Sequence, residues 1–73
     1  MKLLKVGDTI TCTLFNGDIC TGVVKDIEIR DNNPFHFENF VMECDLDKHK
    51  NGVVTMENHW CYFAQINKIS SSS

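Results

Sequence analysis

The chain has 73 residues, 42% of them hydrophobic and 23% charged, with a formal net charge of −3. That length holds one domain with a thin core, since a domain so small buries only about 60% of the surface its unfolded chain exposes. The composition excludes a disordered chain, no apolar run approaches the ~20 residues of a membrane span, and the acidic balance disfavours non-specific binding to a nucleic-acid backbone.

Residues 1 to 7 lead in. They are broken by charge too early to read as a signal peptide, which places the protein in the cytoplasm. Gly7-Asp8 turns the chain into a first strand. There Ile10, Cys12 and Leu14 alternate with Thr9, Thr11 and Thr13, the period of 2 that sets an apolar face against a polar one. Asn16-Gly17 reads as a two-residue type I′ hairpin turn, whose central residues both need positive φ. The second strand runs from about Asp18 to Arg30. Ile19, Thr21, Val23, Ile27 and Ile29 share one parity, interrupted by Lys25. Such a strand is long, and Gly22 is where a bend or bulge is expected. A bent second strand that serves two sheets is how small barrels close.

Asp31-Asn32-Asn33-Pro34 reads as a loop. A third strand follows, with Phe40, Met42, Cys44 and Leu46 on an apolar face and Val41, Glu43, Asp45 and Asp47 on a largely acidic one. Residues 48 to 52 turn. Residues 53 to 56 form a short fourth strand, expected to be an edge of an open barrel, neighboured by a last strand near Ile66 and left unblunted by charge or Pro. Glu57-Asn58 is a tight connection, and residues 31 to 40 or 60 to 65 allow a short turn of helix. Residues 70 to 73 are serines with nothing to bury, expected to be a disordered tail. The whole reads as a five-stranded, strongly bent antiparallel all-β barrel over residues 1 to 69.

L-F-N-G-D-I-C-T-G-V-V-K-D-I-E is similar to the first Sm motif: an apolar residue, Asn-Gly, a later Gly, then a bent strand running to an acidic residue. Leu14, Asn16, Gly17, Gly22 and Glu28 match that spacing. Tyr62 and Ile66 resemble the last strands of bacterial Hfq. The likeness covers about a third of the chain and implies an SH3-like small barrel of the Sm-like kind. It also implies ring assembly and RNA binding. Where the Hfq pattern has an RNA-binding Lys-His pair, this chain has Phe63 and Ala64, so RNA is disfavoured as a partner.

Several residue groups invite chemistry. Glu43, Asp45 and Asp47 share a strand face, but neighbours of one parity lie about 6.5–7 Å apart, too far to share one cation unaided. His36, His49 and His59 and the four cysteines show no close ligand pair of the kind structural zinc sites use. Cys12 and Cys44 fall on apolar faces and no C-x-x-C occurs, so the cysteines read as free thiols. Cys61 and His59 stand two apart, the spacing of a nucleophile and base on one strand face. The domain is too small to build a pocket around them, so the reading is no enzyme, no metal and no cofactor. The aromatic residues are more informative. Phe35, Phe37, Phe40, Trp60, Tyr62 and Phe63 are too many for a core this thin, and with His36 and His59 they form the candidate binding surface. The expected function is non-enzymatic binding or assembly. The partner would be a second copy, another protein or a small ligand. The alternatives are an Sm-like RNA binder and a small viral or mobile-element accessory protein that inhibits a host factor or sequesters a nucleotide.

Overall fold

The computed structural model describes residues 2–31 and 39–71. Among these the backbone forms β1 Leu3–Lys5, β2 Thr9–Thr13, β3 Ile19–Ile29, β4 Asn39–Val41, β5 Glu43–Asp45, β6 Gly52–Met56, β7 Trp60–Tyr62 and β8 Ile66–Ser70. A 3-10 turn, Phe63–Gln65, joins the last two strands. Every pairing is antiparallel, and the main path runs β7-β6-β3-β2-β8, with β4 also on β3 and β1 paired only with β5. The all-β antiparallel class is as expected, but there are eight strands, not five. The lead-in contains β1, and the expected third strand divides at Met42 into β4 and β5. Nor is residue 70 part of a loose tail: Ser70 pairs with Thr9 inside β8.

The long strand bends at a bulge, but not at Gly22. Residues 19 to 23 of β3 pair with β2, and residues 24 to 29 pair with β6, with a register shift between Val24 and Asp26. The extra residue is Lys25. Because side chains alternate with a period of 2, one inserted residue switches the inward parity. Before the bulge the buried member is Val24, with Cys20 half-buried; after it Ile27 is buried and Ile29 half-buried. Ile19 and Val23, which single-parity counting puts in the core, are exposed. Gly22 has a different task. A Cβ there would sit 3.0 Å from Met56 Sδ, so glycine lets the strands close on one another.

The break at Met42 has the same effect. Phe40 and Met42 point outward, while Val41 packs on the core and Cys44 and Leu46 are buried. The Met42 carbonyl accepts from the Val6 amide at 2.9 Å, tying the break to β1.

The β2–β3 hairpin is also not the type I′ turn expected. The Gly17 amide donates to the Leu14 carbonyl at 2.9 Å, and the Leu14 amide to the Asp18 carbonyl at 2.8 Å. The loop is therefore three residues, Phe15-Asn16-Gly17, with Gly17 in the left-handed region at φ +91°. Asn16 Oδ1 accepts from the Asp18 amide at 3.0 Å, a side-chain turn that supports the longer loop. Its position puts Phe15 at the tip instead of on a strand face.

The core gathers Leu4, Ile10, Cys12, Val24, Ile27, Cys44, Leu46, Val54, Met56, Cys61, Phe63 and Ile66. β6 lies between β3 and β7, so residues 53 to 56 are an interior strand and not the free edge expected of them. β8 lies on β2. The ends of the path, β7 and β8, are each paired on one side only, as are β4 on β3 and β1 and β5 on each other. Phe63 closes the core by lying on Gly52, where a methyl group would run into the Phe63 ring and the Glu28 carbonyl.

At the far end of β3, Asp31 ties down the turn before β6. It accepts from the Asn51 amide and from His49 Nδ1, each at 2.9 Å. The Asn51 amide, with help from His49, holds the Asp31 carboxyl below the ordinary range. Asp45 is held low in the same way, first by the Asp47 amide and then by that of Lys2.

Two stability tests follow from these contacts. Gly52→Ala forces a methyl group into packed backbone and ring and should cost about 1–3 kcal/mol. Gly17→Ala faces open space and pays only for its φ, about 1 kcal/mol. Urea unfolding should rank them in that order; the reverse order would mean that Phe63 does not press on Gly52. A carboxylate with a depressed folded pKa stabilises the fold above its unfolded value, near 3.8, and loses that contribution as pH falls through the folded value. Stability measured from pH 6 downward should therefore fall below about pH 4, and Asp31→Asn should flatten that slope.

Candidate functional site

β7 alternates strictly: Cys61 is buried, and Trp60 and Tyr62 point out, 49% and 40% exposed. Their rings meet edge-to-face, with centroids 5.3 Å apart and planes at 84°. Phe15 at the hairpin tip, 80% exposed, meets Tyr62 on the other side at 5.9 Å and 63°. Such offset ring pairs contribute beyond their buried area. They join a strand edge to a hairpin distant in sequence.

Between the hairpin tip and β7 lies an open groove of about 320 Å³, lined by Leu14, Phe15, Asn16, His59, Trp60 and Gln65. Gln65 builds its base. Its Nε2 donates to the Thr13 carbonyl at 2.9 Å, and its Oε1 accepts from the Tyr62 amide at 2.8 Å. Asn67 Nδ2 adds a bond to Thr13 Oγ1 at 2.6 Å. Among the described residues no Lys, Arg, Asp or Glu lines the groove. Asn16, which lines the groove, donates its Nδ2 to the Asp18 carboxylate at 3.0 Å.

Of the residues expected at a binding surface, Trp60 and His59 line this groove, and Tyr62 stacks between its aromatic walls. Phe40 is exposed, but it pairs with Glu28 in β4, three strands from Tyr62 along the row Tyr62–Val53–Glu28–Phe40. At about 4.8 Å per strand it is a separate surface. Phe63 is buried and belongs to the core. Phe35, His36 and Phe37 lie outside the described residues. Phe15, Leu14, Asn16 and Gln65 were not anticipated. The signal for Phe15 was present, as a large aromatic directly before Asn-Gly, but the shorter turn placed it on a strand.

The other candidates are not assembled. Cys61 is buried beneath the sheet while His59 is exposed at the groove, so the two do not share a face. Burial pushes the Cys61 thiol up to about 12, with the Cys12 thiol against it. Burial likewise raises Cys44 to about 11 and raises Cys12. Asp45 uses its carboxylate on backbone amides. Among the described residues no three His, Cys, Asp or Glu side chains are placed to hold a metal ion, and no helix is long and apolar enough to cross a membrane. All four cysteines are free. Comparison with family models, curated proteins and solved structures finds no match to this chain.

The thiolate is the reactive form of cysteine, so buried thiols with raised pKa should be inert. With an aromatic disulfide reagent at pH 8, half-buried Cys20 should react in the native protein. Cys12, Cys44 and Cys61 should react only after denaturant is added. Fast native labelling of Cys61 would show that β7 opens.

Proposed function

We propose that the chain is a non-enzymatic binding and assembly module of the SH3-like, Sm-like small-barrel kind, working through the aromatic groove at the β7 edge. One observation carries the reading: Phe15 and Trp60 each meet Tyr62 edge-to-face while all three rings remain substantially exposed. Rings ordered in water, next to a preformed concave surface, are what a ligand face requires. Their order also lowers the entropic cost of binding. The small-barrel assignment draws support from the path β2, β3, β6, β7, β8, in which β3 serves two half-sheets and a 3-10 turn precedes the last strand.

The two ends of the main path, β7 and β8, offer unpaired backbone to another strand, so pairing between copies remains part of this reading. An RNA-binding alternative draws on the same rings, because bases stack on exposed aromatics. The net charge of −3 and a groove lined by no Lys or Arg weigh against it.

Trp60→Ala tests the reading. A half-exposed ring serving a ligand face should cost about 1 kcal/mol of stability or less, whereas a core aromatic costs about 3–5 kcal/mol. Urea unfolding gives the cost, and light scattering at micromolar concentration gives the mass of wild type and variant. A core-sized loss, with wild type a strict monomer of 8.4 kDa, would remove the reason for calling this an interaction module. Tight binding of a short U-rich or A-rich RNA at physiological salt would put the alternative in its place.

A further inference from the structure

The pairing register decides which backbone groups of β7 face outward. The Met56 amide donates to the His59 carbonyl at 2.7 Å, so residues 56 and 59 form a hydrogen-bonded pair. The next pair in the register, Thr55 with Trp60, is then of the other kind, in which N–H and C=O point away from the neighbouring strand. Tyr62 has the same parity, and its amide does point off the edge, where Gln65 Oε1 caps it. Nothing described does this for Trp60. Its amide and carbonyl point away from β6, off the outer edge of β7, with no partner among the described residues.

Natural edges are blunted by Lys, Pro or a bulge. Residues 58 to 62, Asn-His-Trp-Cys-Tyr, contain neither Lys nor Pro, and β7 pairs with β6 without a register shift. Gln65 blocks one end of the edge and leaves the other free. The two walls beside the free end differ in chemistry. One is the indole of Trp60, whose face attracts cations. The other is the hairpin tip, where Phe15 stands next to the Asn16–Asp18 pair and its carboxylate. No cationic side chain lines the space between them.

Building on the binding reading above, we propose that the groove takes an extended, basic peptide segment as one more strand on β7. A single peptide residue exchanges two hydrogen bonds with the Trp60 amide and carbonyl. Residues paired in this way project side chains from the same sheet face, so its side chain enters the groove between the indole and Phe15. A Lys or Arg there lies over the ring with Asp18 nearby. Backbone pairing supplies affinity and the groove supplies selection. One rung is a short anchor, which fits a transient partner better than a permanent subunit.

The test begins with a displayed library of random twelve-residue peptides, selected on the whole chain. Selected sequences are then synthesised and titrated against the chain's one tryptophan, whose emission reports on the groove directly. Winners should be enriched in Lys and Arg and should change Trp60 emission. N-methylation at one backbone position, and not at its neighbours, should weaken binding about tenfold, the upper range for loss of one hydrogen bond. Asp18→Asn should weaken binding and reduce its salt dependence, and Phe15→Ala should weaken it with the salt dependence kept. Winners without basic residues, or tolerance of N-methylation at every position, would overturn strand addition while leaving a ligand face at Trp60. A stable β7-edge dimer that excludes peptide would give the groove to a second copy. Failure to select any peptide that changes Trp60 emission would overturn this proposal. The binding reading itself falls only if Trp60→Ala also shows a core-sized loss of stability.

Discussion

A single inserted residue governs this fold. With Lys25 outside the pairing register, β3 turns its even-numbered side chains inward along β2 and its odd-numbered ones inward along β6. One strand can then line two half-sheets that share a core, which neither half could build alone at this chain length. The bulge also fixes what lies outside. Asp26 and Glu28 share the outer face with Thr55 and Val53, and through them with Trp60 and Tyr62. The charged and aromatic character of that face is a consequence of the register.

Closure depends on contacts that bring sequence-distant residues together. Phe63 sits on Gly52 at the start of β6, and the 3-10 turn that holds Phe63 also supplies Gln65. Three of the four cysteines serve as small apolar core residues, with Cys12 touching both Cys61 and Cys20. A thiol fills less space than a leucine side chain, which suits a thin, close-packed core. Their raised pKa values, a result of burial, keep them neutral and compatible with that setting.

Much of the fold was legible in local pattern. The threonine alternation of β2 needed only a period of 2, and the turn after β5 only its local Lys-His-Lys-Asn-Gly. The errors share one cause. Ile19 and Val23 were grouped by parity with Ile27 and Ile29, and Phe40 and Met42 with Cys44 and Leu46, by extending a single parity through a position where the register slips. A slip is set by pairing with another strand, and that information is not local. Edge and interior status failed for the same reason: Val53 to Met56 looks unprotected in isolation, yet it is covered by β3 and β7. Half of the site was visible as aromatic excess in Trp60 and Tyr62. The other half depended on a three-residue loop where Asn-Gly suggested two, and on Gln65, whose role appears only once β2 and the 3-10 turn are adjacent.

Gln65 has a consequence for how the molecule moves. One side-chain amide is bonded to backbone on both sides of the groove, through the Thr13 carbonyl and the Tyr62 amide. The hairpin base and the end of β7 therefore share a mechanical joint. Their relative displacement stretches two hydrogen bonds at once, and the stacked rings of Phe15 and Tyr62 resist the same motion. The groove cannot widen by swinging the hairpin alone. The width of the groove is thus tied to the two bonds of a single side-chain amide.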